Sequence, residues 1–153
     1  MSKVFDVDFR KGSFIEQVSK SLCTNTNGVF KKTEKGNAWI GGVGKKLAMP
    51  SAITLSRNDA TIVIWFKGMN VNAGTEYIVG AASPICSYVG RVSNEFRVES
   101  NTNGDYWVRT NSTIITDNVS HCLVVVANGG TVNAYLDGVL YDTETPTDDI
   151  TLN

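Results

Sequence analysis

Ser120-His-Cys-Leu-Val-Val-Val-Ala-Asn-Gly-Gly-Thr-Val-Asn-Ala-Tyr-Leu-Asp-Gly-Val-Leu140 is the stretch that decides the fold. Two apolar runs flank Asn128-Gly-Gly130. Asn and Gly supply the positive φ angles that a tight hairpin needs. The run after the turn, read as a strand over Val132–Tyr141, alternates. Val132, Ala134 and Leu136 form one set, and Asn133, Tyr135 and Asp137 form the opposite one. The run before it, His121–Ala127, holds Leu123-Val-Val-Val126, which is apolar on both faces. Such a strand is expected to be central and covered on both sides.

The same period-two pattern extends outward through most of the chain. It predicts strands at Val4–Phe9, Val29–Lys32, Ala38–Gly41, Lys45–Met49, Thr61–Lys67, Glu76–Ala81, Ile85–Val92, Glu95–Glu99, Asp105–Thr110 and Thr113–Thr116. Asn25-Thr-Asn-Gly28 and Asn101-Thr-Asn-Gly104 read as turns between them. One helical signal stands out: Ser13 lies three residues before Glu16, as in a capping box, with Phe14, Ile15 and Val18 around it. The stretch is short, so a turn or a single helical turn over a sandwich edge is expected. Many short strands separated by turns predict an all-β, two-sheet antiparallel sandwich. No linker or repeat is visible in the 153 residues, so 1–153 reads as one domain.

A second hairpin carries the candidate binding residues. Glu95–Glu99 and Asp105–Thr110 flank Asn101-Thr-Asn-Gly104. Phe96 and Val98 on one strand, with Tyr106 and Val108 on the other, are the expected core-facing sets. Alternation then sends Glu95, Arg97, Glu99, Trp107 and Arg109 to the outer face. Arg97, Trp107, Arg109 and Tyr135 are the candidate ligand-binding residues, for a glycan or a protein surface. Sugars stack C–H faces on aromatic rings and exchange hydrogen bonds with Arg, Asn and Glu, and protein interfaces are enriched in the same aromatic and Arg side chains. Trp65 sits among Ile62, Ile64 and Phe66 and is expected to pack against sheet or loop.

Four segments in order resemble a known family. Asp6-Val-Asp-Phe9 opens the chain. Lys35-Gly-Asn-Ala-Trp-Ile-Gly41 through Leu47-Ala-Met-Pro-Ser51 follows, and then Ala60-Thr-Ile-Val-Ile-Trp-Phe-Lys67, which is similar to an S-x-W-x-K strand. The stretch from Ser120 to Leu140 resembles the W-H-h-v-a-v-v-y-d-G-g-t-x-x-x-Y-v-D-G hairpin of laminin-G-like, concanavalin A-like jelly-roll modules, with Ser120 where the family usually has Trp. The resemblance spans about residues 4–141. It implies a two-sheet antiparallel jelly roll. It also implies a further x-I-G strand and a closing D-E-V-x-I-Y-x-R strand, which are not found before Ile150-Thr-Leu-Asn153. The expectation is therefore a jelly roll lacking its last strand or strands, shortened, truncated or completed by a neighbouring subunit.

The chemistry of the chain is restrictive. Net charge is −1, with no long run of either sign, so neither nucleic acid nor an anionic membrane surface is an expected partner. No apolar stretch reaches membrane-spanning length, and no secretory signal opens the chain. Asn111-Ser-Thr and Asn118-Val-Ser read as chance matches to the glycosylation pattern. Cys23, Cys86 and Cys122 form an odd set and are expected to be free thiols made in a reducing cytosol. His121 is expected to be a hydrogen-bonded structural residue, and no G-x-S-x-G accompanies it. Zinc-ligand spacing and a phosphate-binding loop are missing. Asp59, Asp148 and Asp149 read as solvated turn residues rather than calcium ligands. The E-x-D-x-x-E and E-x-D-x-E runs of the fold's hydrolases do not occur. Glu95 and Glu99 stand roughly 13 Å apart along a strand, too far for a glycosidase pair. No enzyme activity, cofactor or metal is expected.

The resemblance, with a chain starting at Met1, implies a non-enzymatic decoration or adhesion module of a tailed-phage virion. Its expected partners are capsid or tail proteins or a neighbouring copy of itself. The alternative expectation is a carbohydrate-binding, lectin-like module for host or surface glycans.

Overall fold

A computed structural model describes residues 24–33, 36–40, 46–48, 52–67, 75–80, 87–92, 95–100, 105–111 and 119–152. The strands are β1 (Thr24–Thr26), β2 (Val29–Thr33), β3 (Gly36–Ile40), β4 (Lys46–Ala48), β5 (Ile53–Leu55), β6 (Asp59–Lys67) and β7 (Thr75–Gly80). They continue with β8 (Tyr88–Val92), β9 (Glu95–Glu99), β10 (Tyr106–Asn111), β11 (Ser120–Asn128), β12 (Thr131–Leu136), β13 (Val139–Glu144) and β14 (Ile150–Leu152). Among the described residues there is no helix, so none is long and apolar enough to cross a membrane. The expected strands Val4–Phe9 and Thr113–Thr116 and the helical turn at Ser13–Glu16 lie outside the described residues. So do Cys23 and Cys86.

Packing groups the chain into two compact units, 1–53 and 54–153. In the first, β2 and β3 form an antiparallel pair from Val29↔Ile40 to Thr33↔Gly36, and β1 pairs with β4. The Asn25–Gly28 stretch, expected as a turn throughout, is strand to Thr26. A bend at Asn27, at φ 56, a left-handed conformation that Asn tolerates better than most residues, separates β1 from β2.

The second unit is a sandwich of two four-stranded antiparallel sheets. One runs β10-β9-β8-β7 and the other β13-β12-β11-β6, while β5, from Thr54 onward, pairs with β14. The two sheets meet face to face: the Phe66 ring of β6 stacks on the Phe96 ring of β9 at 6.0 Å and 13°. Alternation supplies the core. Phe96 and Val98 point in from β9, Leu123, Val125 and Ala127 from β11, and Val132, Ala134 and Leu136 from β12; all are buried. Each removes from water an apolar side chain worth about 1.5–3 kcal/mol for the larger ones. β11 is central, between β12 and β6. Its inner positions are buried, but Cys122, Val124 and Val126 on the other side are only half-buried. The expected covering of both faces is thus corrected to one.

Two turns set the register of the β11–β13 meander. Gly129 and Gly130, at φ 59 and 84, connect Asn128 to Thr131. Asp137 and Gly138, at φ 51 and 84, connect Leu136 to Val139. Both are two-residue loops with positive φ at each position, the form whose twist matches the strands it joins. The strand expected over Val132–Tyr141 is therefore two, broken at Asp137-Gly138.

Candidate functional site

The outer face of the β7–β10 sheet is built on β9 and β10. On β9, alternation puts Glu95, Arg97 and Glu99 outward, between the buried Phe96 and Val98. On β10 alternation is interrupted. Tyr106 pairs with Glu99 and Val108 with Val98, which leaves Trp107 as an extra residue in a bulge. Val108 still points inward, as expected, but Tyr106 joins the outer face. Trp107 turns in, 1% exposed, and its Nε1–H donates to the Asp148 carbonyl at 2.9 Å. Period-two counting puts Trp107 outside and Tyr106 in the core. The bulge reverses both assignments.

Five groups on this face interact with one another. Arg97 Nε donates to Glu95 Oε2 at 2.8 Å, and Arg97 Nη1 reaches Glu99 Oε2 at 3.2 Å. Arg109 Nε donates to Glu95 Oε2 at 3.2 Å. Both guanidiniums lie over the Tyr106 ring, Arg97 at 5.2 Å and Arg109 at 4.8 Å from its centre. Arg97 and Arg109 are directly opposed in the register, and like charges so placed repel. The Glu95 carboxylate between them offsets this. Hydrogen bonds from Arg109, and then from Arg97, hold the Glu95 carboxyl below its ordinary range, and the same contact raises Arg109. Arg109 is fixed a second way, its backbone N–H donating to Asp142 Oδ2 at 2.9 Å. The result is a patch of guanidinium donors and anionic acceptors set around a phenol ring.

Tyr135, the fourth expected site residue, is not in this patch. It lies on the outer face of the other sheet, in a row running Val63, Val124, Tyr135, Leu140 across β6, β11, β12 and β13. A second row, Thr61, Val126, Asn133, Thr143, runs beside it, with Thr143 Oγ1 donating to Asn133 Oδ1 at 2.8 Å. Trp65, across from Cys122, is 71% exposed. It does not pack against sheet or loop as its apolar neighbours suggest; it stands in solvent on the same side as Val63. The structure thus brings together Arg97 and Arg109, adds Tyr106, buries Trp107 and separates Tyr135.

His121 sits on the inner face. Its Nδ1 lies 2.7 Å from Asp137 Oδ2, and its ring is 5.7 Å from that of Phe66. The carboxylate of Asp137 also accepts the Cys122 N–H at 2.8 Å. The pair ties the Asp137-Gly138 turn to the start of β11, the structural role expected for this histidine. Cys122 is a free thiol on the half-buried outer side. Burial raises its pKa, with the Asp137 charge as a second cause. Asp149 Oδ1 accepts the Arg57 N–H at 2.9 Å, bonding to the Arg57-Asn58 turn without being part of one, and Asp59, expected in a turn, opens β6. Among the described residues, no cluster of His, Cys, Asp and Glu is arranged to hold a metal.

A family model described as the concanavalin A-like lectin/glucanases superfamily, laminin-G type, matches residues 41–153. The chain belongs to this superfamily. Among solved structures, it is similar to domain 4 of an extracellular arabinanase from Geobacillus stearothermophilus, determined in complex with arabinotriose. The TM-score is 0.63 and the identity 16%, over 94% of this chain and 78% of that one. At that identity the likeness is one of fold, and it agrees with the superfamily's antiparallel sandwich. No curated protein matches the chain.

Proposed function

We propose that the protein is a non-catalytic carbohydrate-binding module whose glycan lies on the outer face of the β7–β10 sheet. The observation that carries this reading is the fixed cluster of Arg97, Arg109, Glu95, Glu99 and Tyr106. Sugar hydroxyls are both donors and acceptors. A guanidinium beside a carboxylate meets adjacent hydroxyls with charge-assisted hydrogen bonds, which are about twice as strong as neutral ones. Mutual pairing holds these side chains in place, so less entropy is lost on binding. The complex of the arabinanase domain with arabinotriose is consistent with a binding role for this fold.

The same geometry speaks against hydrolysis. A general acid needs a raised pKa, whereas Glu95 is lowered by its two arginines. Glu99 is engaged by Arg97 as well. Titration calorimetry of the chain with neutral oligosaccharides, arabino-oligosaccharides included, tests the reading. Saturable binding is expected, weakened about tenfold or more in Arg97→Ala, in line with the loss of a charge-assisted contact, and in Tyr106→Ala, which removes the ring under both guanidiniums. No binding to any oligosaccharide, or full affinity in both variants, would reject it.

A second reading is a decoration or adhesion module of a tailed-phage particle, contacting capsid or tail proteins. The feature that favours it is exposed apolar surface at the β12–β13 hairpin, where Val139 and Leu140 stand in solvent, since large exposed apolar patches mark protein contacts. Microscopy of host particles showing symmetry-related copies is the corresponding test.

A further inference from the structure

β6 carries a second surface, independent of the polar patch. Asp59, Thr61, Val63, Trp65 and Lys67 are all exposed on one side of this strand, while Ala60 and Ile62 are buried on the other. Val63 is the midpoint. Asp59 stands four residues before it and Lys67 four residues after, so one carboxylate and one ammonium close the two ends of a row whose centre is uncharged. Val124 lies directly beside Val63, and Cys122 beside Trp65, which extends the apolar surface onto β11.

We propose that this face is the contact between two copies of the chain, stacked sheet on sheet about a two-fold axis over Val63. A closed two-fold interface requires a patch complementary to itself, and the charges on β6 satisfy this. An in-plane axis perpendicular to β6 lays the strand antiparallel on its copy. Val63 then meets Val63, Trp65 crosses Thr61, and Lys67 of each chain faces Asp59 of the other. No like charges are opposed, and two opposite-charge pairs form at the ends. Aligned stacking leaves the strands within about 30° of each other, a splay that the flexible stem of Lys67 can span. Trp65, an exposed aromatic on a sheet, is the kind of anchor that concentrates binding energy at interfaces. The charge symmetry favours a second copy over an unrelated partner, which would have no reason to mirror Asp59 and Lys67.

Sedimentation equilibrium of the full chain, from low to high micromolar concentration, tests the proposal, with circular dichroism to confirm that each variant folds. The expected result is a concentration-dependent monomer–dimer equilibrium. Val63→Asp brings two carboxylates together on the axis and should raise the dimer dissociation constant about tenfold or more. Lys67→Asp should weaken the dimer, and adding Asp59→Lys to it should restore the association. A monomer at every concentration overturns the proposal, as does a dimer indifferent to Val63→Asp or a charge swap that fails to restore. None of these outcomes bears on glycan binding, which uses the other sheet.

Discussion

Trp107 shows how one residue can escape period-two counting. Tyr106, Trp107 and Val108 are three apolar residues in sequence, and a regular strand has only two faces for them. Taking Val108 as core forces Trp107 outward unless the strand is bulged, and no residue in the stretch marks a bulge as Gly would. The buried indole makes Trp107→Ala a core deletion, expected to cost about 3–5 kcal/mol in chemical denaturation. Trp107→Phe keeps most of the bulk and loses the hydrogen bond to Asp148, for about 1 kcal/mol. Asp137 gives a prediction in pH. The Cys122 N–H, and then His121, hold its carboxyl below the ordinary 3.8. A carboxyl lowered in the folded state adds stability that is fully present above the unfolded value and is lost as pH falls through the folded one. The denaturation midpoint should therefore drop on acidification below about pH 4. Asp137→Asn should flatten that region of the profile; an unchanged acid limb would contradict the assignment.

At the scale of elements, the two tight turns contrast in how they can be read. Asn128-Gly-Gly130 separates two complete apolar runs and is plain in the sequence. Asp137-Gly138 carries an equally strong turn signal, yet Val139-Leu-Tyr141 continues the apolar run beyond it and hides the break. Those residues are apolar but exposed or half-buried, so hydropathy there does not report burial. Gly138, at φ 84 with open space around its Cβ position, tests the turn without steric interference. Gly138→Ala should cost about 1–2 kcal/mol from backbone conformation alone, read as a lower denaturation midpoint. Strand β5 leaves no trace in the pattern because Ile53–Leu55 is too short to establish a period.

Across the whole molecule, the sandwich is legible because it rests on alternation repeated over many strands, and errors at one bulge or one turn do not alter that sum. What cannot be read is which outer faces are alike, since that depends on which strands become neighbours. Arg97 and Arg109 can be joined through one hairpin, whereas Tyr135 belongs to the other sheet. The packing between sheets has a direct test. Phe66 and Phe96 lie far apart in sequence and stack across the interior. A double-mutant cycle on Phe66→Leu and Phe96→Leu should show a coupling of about 0.5–1.5 kcal/mol. Additive effects would mean that the sheets do not meet there.

The segment from Pro146 to Thr151 is stitched to the rest of its unit at several points. Arg57 holds Pro146 O and Asp149, Asp105 holds the backbone of Thr147 and Asp148, Trp107 holds Asp148 O, and Ser87 bonds Thr151 in both directions. Pulled from Thr151 in a force experiment, these attachments would bear load together instead of yielding in succession. Rupture should then come as a single event at high force, and weakening Asp105 should divide it into two smaller ones.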